Sequence, residues 1–191
     1  MTQESLKRNI DLFDNLTDTE YLELKKIFCH KKYKKGEFIL KENDTVQDVY
    51  FISSGLLKLS YFNNETREFI LSFAFENWWE TDFSAFLHQT KATLNLQCVE
   101  DTEVFSLSYS NYNNILKKYD LYNYFLQKSI RGHIANQRRI LSLIALSPKE
   151  RYEQFILLYP TLFQRIPKSV LALYLGVSRE TLSRLYKQTK K

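Results

Sequence analysis

The hydrophobic pattern changes period once along this 191-residue chain, and that change limits the folds open to it. Between about residues 38 and 107 the apolar residues alternate. Phe38 and Leu40 begin the series, followed by Val49 and Phe51, then Leu57, Leu59 and Tyr61. Phe69, Leu71, Phe73 and Phe75 continue it, then Leu94, Leu96 and Cys98, and Val104 closes it. A period of two puts such residues on one face of a strand. Asn43-Asp44, Ser53-Ser54-Gly55 and Asn63-Asn64-Glu65 supply turn chemistry between the runs. Short strands at this spacing predict a small antiparallel roll or sandwich.

Helical signals flank the roll. Thr17 and Glu20 form a capping box that predicts a helix over about 18–28. From Tyr109 the pattern is helical again, first to Lys118 and then over 121–146. In the long helix Ile130, Ile134, Gln137, Leu141 and Ile144 are spaced four, three, four, three. That is the seam of a coiled coil, so the helix is expected to pair with a second copy, with Gln137 setting register. The competing reading is a helix lying on its own domain. Ser147-Pro148-Lys149-Glu150 then restarts a helix, with Ser147 as cap, Pro148 at the first helical position and Glu150 completing the box. The expected division is a roll over 1–120, a dimerisation helix over 121–146 and a helical domain over 147–191.

Composition excludes several chemistries. The four glycines, Gly36, Gly55, Gly132 and Gly176, stand too far apart for a Rossmann fingerprint or a P-loop. Cys29 and Cys98 form no CxxC, so no cysteine-rich zinc or iron–sulfur site is expected; the two could form one disulfide, but both are read as buried free thiols. His30, His88 and His133 are scattered, there is no HExxH, and no Ser-His-Asp set is recognisable. No catalytic residues, metal site or cofactor are predicted. No basic start with an apolar run and no span of about 18 apolar residues is present, so a soluble cytoplasmic protein without membrane contact is expected.

Charge is divided unevenly. Through Ser110 there are 12 Lys/Arg against 18 Asp/Glu, and from Asn111 onwards 15 against 4. A basic C-terminal part on an acidic N-terminal one suggests that the former meets a polyanion, although a solvated basic surface would have the same composition.

The stretch over 168–187 reads KSVLALYLGVSRETLSRLYK. A helix-turn-helix needs a small residue where the helices cross and a turn residue that accepts a left-handed backbone; Ala172 and Gly176 fit. Leu171, Leu175, Val177, Leu182 and Leu185 supply the inner face, and Ser178 can cap the second helix. Arg179, Glu180, Ser183, Arg184 and Lys187 are left on the outer face. Arg can donate twice to guanine, and Glu can accept from the cytosine amino group. Lys168, Ser169, Ser178, Thr181 and Lys187 suit phosphates, which position the protein without reading sequence.

The segment Gly176-Val-Ser-Arg-Glu-Thr-Leu-Ser-Arg-Leu resembles the recognition helix of the CRP/FNR transcription regulators, G-x-S-R-E-T-x-x-R. The likeness extends over most of the chain. Residues 33–107 look like that family's cyclic-nucleotide-binding β-roll, 48–59 like its glycine-turn hairpin, and 121–146 like its dimerisation helix. The resemblance implies an α+β fold: an N-terminal antiparallel, jelly-roll-like β-roll, a long dimerisation helix, and a C-terminal all-α helix-turn-helix domain with a truncated wing. Lys187, Lys190 and Lys191 are expected to act as a basic tail in the wing's place. It also implies base contacts from Arg179, Glu180 and Arg184, and backbone contacts from Lys168, Ser169, Ser178, Thr181 and Lys187. The partners it implies are double-stranded DNA with a two-fold symmetric operator, a second copy of the chain, and RNA polymerase.

The effector pocket departs from the family pattern. Cyclic-nucleotide binders carry a Gly-Glu pair and, further on, an Arg followed by Ser, Thr or Ala. Here the candidate pocket residues are Trp78, Trp79, Glu80 and Phe83, with Ala92 and Thr93 where the phosphate-binding Arg is expected. Without that Arg a buried phosphate lacks its bidentate partner, and Glu76, Glu80 and Asp82 repel it. Lys91 could restore one charge by pointing inward. Tight cAMP binding is therefore not expected. Either Trp78, Trp79, Phe83 and Phe86 fill the pocket, or it takes an unidentified, more apolar effector. Two alternatives stand beside a sequence-specific DNA-binding transcription regulator that cAMP does not activate: a small-molecule receptor whose roll binds a non-nucleotide or nucleotide ligand to switch DNA binding, and a protein-interaction module that does not bind DNA.

Overall fold

The computed structural model describes residues 17–119 and 121–188. Lys190 and Lys191, read as part of a basic tail, lie outside them. Helix α1 (Asp18–Lys25) starts at the capping box, in which the Glu20 amide donates to Thr17 Oγ1 and the Thr17 amide to Glu20 Oε2, at 3.4 and 2.9 Å. It stops short of the expected residue 28 because the chain turns at Lys26–Ile27 to enter β1 (Cys29–Tyr33).

Seven further strands follow: β2 (Phe38–Leu40), β3 (Asp48–Ser54), β4 (Leu56–Phe62), β5 (Glu68–Phe75), β6 (Trp79–Glu80), β7 (Asn95–Cys98) and β8 (Thr102–Ser108). A short helix, α2 (Phe83–His88), separates β6 from β7. All ladders are antiparallel, in two four-stranded sheets ordered β1-β8-β3-β6 and β2-β7-β4-β5. Gly55 makes the β3–β4 turn at φ +108°. A Cβ there would lie 2.4 Å from Thr102 Oγ1 and 2.6 Å from Thr102 Cα, so the close approach of β8 requires glycine.

The period-two reading finds β2 to β5, β7 and β8 but not β1 or β6, and the alternating set it picks on β5 does not enter the roll. Leu57 and Leu59 of β4 stand opposite Ala74 and Ser72, and this face enters the roll. Phe73 and Phe75 stand opposite Lys58 and Leu56 on the other face, where the C-terminal helices pack. Phe69 and Leu71, further along, are exposed. Both faces of β5 carry apolar residues because both are covered along part of the strand, which hides the parity in the sequence. Cys98 is buried as expected, and burial pushes its thiol pKa up to about 11. Cys29, expected buried, is exposed on edge strand β1.

Helix α3 (Tyr109–Lys118), capped by Ser108, leads to α4 (Tyr122–Ala145). Twenty-four residues at about 1.5 Å each make α4 about 36 Å long. Its first turn is fastened to the roll, where Trp79 Nε1 donates to Tyr124 Oη at 3.1 Å and Phe125 packs on Trp79 and Tyr112. Four further helices follow: α5 (Pro148–Leu158), α6 (Pro160–Arg165), α7 (Lys168–Leu175) and α8 (Arg179–Gln188). The capping box at Ser147 forms as read, with the Ser147 amide 2.8 Å from Glu150 Oε2.

Tyr152, Phe155, Leu162, Ile166, Leu171, Ala172, Leu175 and Leu182 form the core of these helices. Leu56 and Val99 of the roll join the same cluster, and Phe73 packs on Tyr174 with the rings tilted and their centroids 4.8 Å apart. The C-terminal helices therefore share a core with the outer face of the β4–β5–β7 sheet. Arg165 clamps this junction. Its guanidinium donates to both oxygens of Glu76 at 2.9 Å each, and to Glu100 at 2.5 Å, while Glu76 Oε1 also accepts from the Gly55 amide. No helix among the described residues is long and apolar enough to cross a membrane.

Candidate nucleic-acid interface and effector cavity

Gly176 ends α7 in the left-handed region at φ +64°. The Val177 amide donates back to the Ala172 carbonyl at 3.0 Å and the Gly176 amide to Leu173 at 3.1 Å, the bonding of a Schellman turn. The chain then enters α8 under a Ser178 cap, with the Thr181 amide donating to Ser178 Oγ at 3.1 Å. Leu171, Ala172, Leu175 and Leu182 are buried, and Val177 and Leu185 are half-buried against them. The two helices meet along the stripe read from the sequence.

The outer face of α8 carries Arg179, Glu180, Ser183, Arg184 and Lys187, all exposed. Amide hydrogen bonding at the helix start, the Ser178 hydroxyl and the flanking Arg179 and Arg184 hold the Glu180 carboxyl below its usual range. Glu180 is thus an acceptor at neutral pH, with arginine donors beside it. Among the residues read as phosphate contacts, Lys187 is exposed. Lys168 rests its ammonium over the Tyr186 ring, 4.2 Å from the centroid. Ser178 and Thr181 contact each other through their hydroxyls at 3.1 Å, and Ser169 is half-buried.

On α4, Ile130, Ile134, Gln137, Leu141 and Ile144 are all exposed, Leu141 at 63% and Ile144 at 80%. Leu126 and Ile140 extend the exposed apolar surface. The seam does not lie on the chain's own roll.

Between the roll and α4 lies a cavity of about 750 Å³. Trp78, Trp79, Glu80 and Phe83 line it, as the sequence suggests. The aromatic residues form its walls without filling it, and Phe86 is buried in the roll core instead. Ala92 and Thr93 do not line the cavity. Ala92 is buried within the roll, and Thr93 is tied to Asp82. Lys91 does not point inward; its Nζ donates to Thr45 Oγ1 on the exposed surface at 2.8 Å.

Asp82, only 1% exposed, organises this end of the roll. Oδ1 caps α2 at the Ala85 amide, 3.1 Å away. Oδ2 accepts from the Thr93 amide, the Thr93 hydroxyl and the Leu94 amide at 2.9, 3.0 and 3.2 Å. Internal donors therefore engage both oxygens of this carboxylate. Glu80, 5% exposed, accepts from the Thr81 amide and Ser72 hydroxyl at 3.2 and 3.3 Å. Burial pushes its pKa up to about 7 against those two bonds. The cations of the cavity, Lys128, Arg131 and Arg139, all come from α4. The sequence marks Asp82 only as a charge that repels phosphate, and it gives no sign of the basic residues, whose place depends on how α4 is laid across the roll.

No group of three or more His, Cys, Asp or Glu side chains placed to hold a metal occurs among the described residues. Taken together, the elements define a class: an antiparallel roll with a cavity between it and one long helix, which joins it to a helix-turn-helix. Residues 30–119 match the cyclic nucleotide-binding domain family. No curated protein matches the sequence. Solved structures share the architecture across nearly the whole chain. FixK2 from Bradyrhizobium japonicum is 18% identical, with TM-score 0.75, over 85% of this chain and 84% of that one. The c-di-GMP responsive global regulator CLP of Xanthomonas campestris is 15% identical, with TM-score 0.72, over 91% and 92%. CooA from Carboxydothermus hydrogenoformans is 18% identical, with TM-score 0.71, over 95% and 84%. The chain has the fold of the CRP/FNR regulators.

Proposed function

We propose that the protein is a sequence-specific DNA-binding transcription regulator of CRP/FNR type that acts as a homodimer and does not respond to cAMP. One observation carries the reading: α8 buries its apolar stripe against α7 and leaves Arg179, Glu180 and Arg184 together on an open polar face. Such a face suits the major groove, where Arg and Glu distinguish base pairs. The exposed seam on α4 supports pairing about a two-fold axis, which would bring two α8 helices to successive major grooves about 34 Å apart. The engaged carboxylate of Asp82, with Ala92 and Thr93 standing where the phosphate-binding Arg is expected, argues against a cyclic phosphate.

Selection from a randomised duplex library, followed by titration of the selected site, tests the reading. Arg184→Ala is expected to cost about 1–3 kcal/mol and to relax one position per half-site. Lys168→Ala is expected to weaken all sequences alike and to lower the salt slope by about one. Binding that ignores salt, or is untouched by both substitutions, would overturn it in favour of a protein-interaction module.

The 750 Å³ cavity favours a second reading, in which the roll is a small-molecule receptor whose occupancy switches DNA binding. Native mass spectrometry of the purified protein tests it. Co-purified mass released on denaturation supports the receptor, and bare protein that also ignores cyclic nucleotides in calorimetry opposes it.

A further inference from the structure

A second, smaller cleft of about 30 Å³ opens where α4, α5 and α7 meet. Arg138, Arg139 and Arg151 line it, with Ser142, Gln154 and Tyr174 among its polar walls and no carboxylate. Arg139 stacks its guanidinium 3.7 Å from the Tyr174 ring centroid and donates from Nη2 to the Tyr174 carbonyl. Arg151 donates from Nη1 to the Leu146 carbonyl at 2.8 Å. Each therefore holds the C-terminal end of a helix with one arm. Their Nε–H groups are buried and meet no hydrogen-bond partner. Neither forms an ion pair among the described residues.

Helix capping explains the Nη donors but leaves two costs. An orphaned buried donor costs about 1–3 kcal/mol. Two half-buried like charges with no counter-ion cost more than either alone. Burial, and then the neighbouring Arg151 charge, lowers the Arg139 pKa, the direction expected of a cation without its anion. Water would satisfy the donors yet leave both charges uncompensated. A small anion removes both costs, and planar guanidinium groups match the oxygens of a tetrahedral oxyanion.

We propose that this cleft binds a small oxyanion, of which inorganic phosphate is the representative, against the guanidinium groups of Arg139 and Arg151, with Arg138 at the exposed rim. The volume admits about two water-sized groups, enough for the oxygens that face the arginines. Arg139 also lines the large cavity, and α7 carries the first helix of the helix-turn-helix. The anion thus sits where the cavity wall meets the C-terminal helices and stabilises their present orientation.

Thermal unfolding of the full chain tests this, with sodium phosphate compared with sodium chloride at matched ionic strength and fixed pH. Phosphate is expected to raise Tm in a saturable way that chloride does not reproduce. Arg151→Gln is expected to weaken the half-saturating concentration by about tenfold or more, and Arg138→Gln, at the rim, by less. Should Arg151→Gln fail to fold, calorimetric titration of phosphate into Arg138→Gln and the parent protein provides the comparison. Equal response to the two salts, or an unchanged phosphate response in Arg151→Gln, refutes the site. If phosphate has no effect while Arg151→Gln weakens duplex binding and lowers its salt slope, the arginines serve the DNA backbone and the free-anion site is likewise refuted.

Discussion

Replacing Glu80 by Gln tests the electrostatics of the cavity floor. In the folded protein Glu80 titrates at about 7, whereas its ordinary value is 4.5. Between those values the folded state holds a proton that the unfolded state has lost. Stability therefore falls as pH rises through this window, at about 1.4 kcal/mol per pH unit. Across the window the loss is about 3 kcal/mol, present in full above pH 7 and absent below 4.5. Gln keeps the shape and still accepts from the Thr81 amide, while the Ser72 hydroxyl, 3.3 Å away, can turn to accept from the new amide. It carries no titratable group, so this pH-dependent loss vanishes. Carboxylates whose pKa values are lowered, such as Glu76 and Glu103, gain their stabilisation lower on the pH scale, and their contribution cancels in the difference. Urea unfolding of both proteins from pH 5 to 8.5, followed by fluorescence, measures that difference. The two tryptophans, Trp78 and Trp79, both line the cavity, so the signal reports this region. The stability of Glu80→Gln relative to the parent should climb by roughly 2–3 kcal/mol towards alkaline pH. Parallel curves would refute the reasoning and mean that water solvates Glu80 through the cavity.

Arg165→Met should destabilise the junction by about 2 kcal/mol, discounted because all three side chains are partly exposed, and speed amide exchange in α5 to α8. A double-mutant cycle with Glu76→Gln that shows no coupling would sink this. Ile134→Glu, which puts a charge on the exposed seam, should yield monomers by light scattering; an unchanged mass would move the interface elsewhere.

The parts of the architecture that were legible from residues alone are those built over short stretches of chain. The α7–α8 unit occupies about twenty residues, and its glycine, small residue, cap and apolar stripe each act on near neighbours. The capping boxes at Thr17 and Ser147 and the exposed seam of α4 are local in the same sense. The face of β5 was not legible, because its two sides are both apolar and only the docking of α7 distinguishes them. Nor was the place of Ala92 and Thr93, since the Asp82 bonds that draw Thr93 away from the cavity cross eleven residues.

The amino-acid order by itself determined which segments become strands and helices and which side chains α8 turns outward, because those outcomes depend on spacing and on bonds within a turn or two. Tertiary structure decided where charge ends up. Arg165 finds Glu76 and Glu100 across separations of 89 and 65 residues, Glu80 comes to face a cavity, and Arg139 meets Arg151 without an acid between them. Coulombic energy and desolvation depend on distance through space and on what excludes water, and neither follows from distance along the chain.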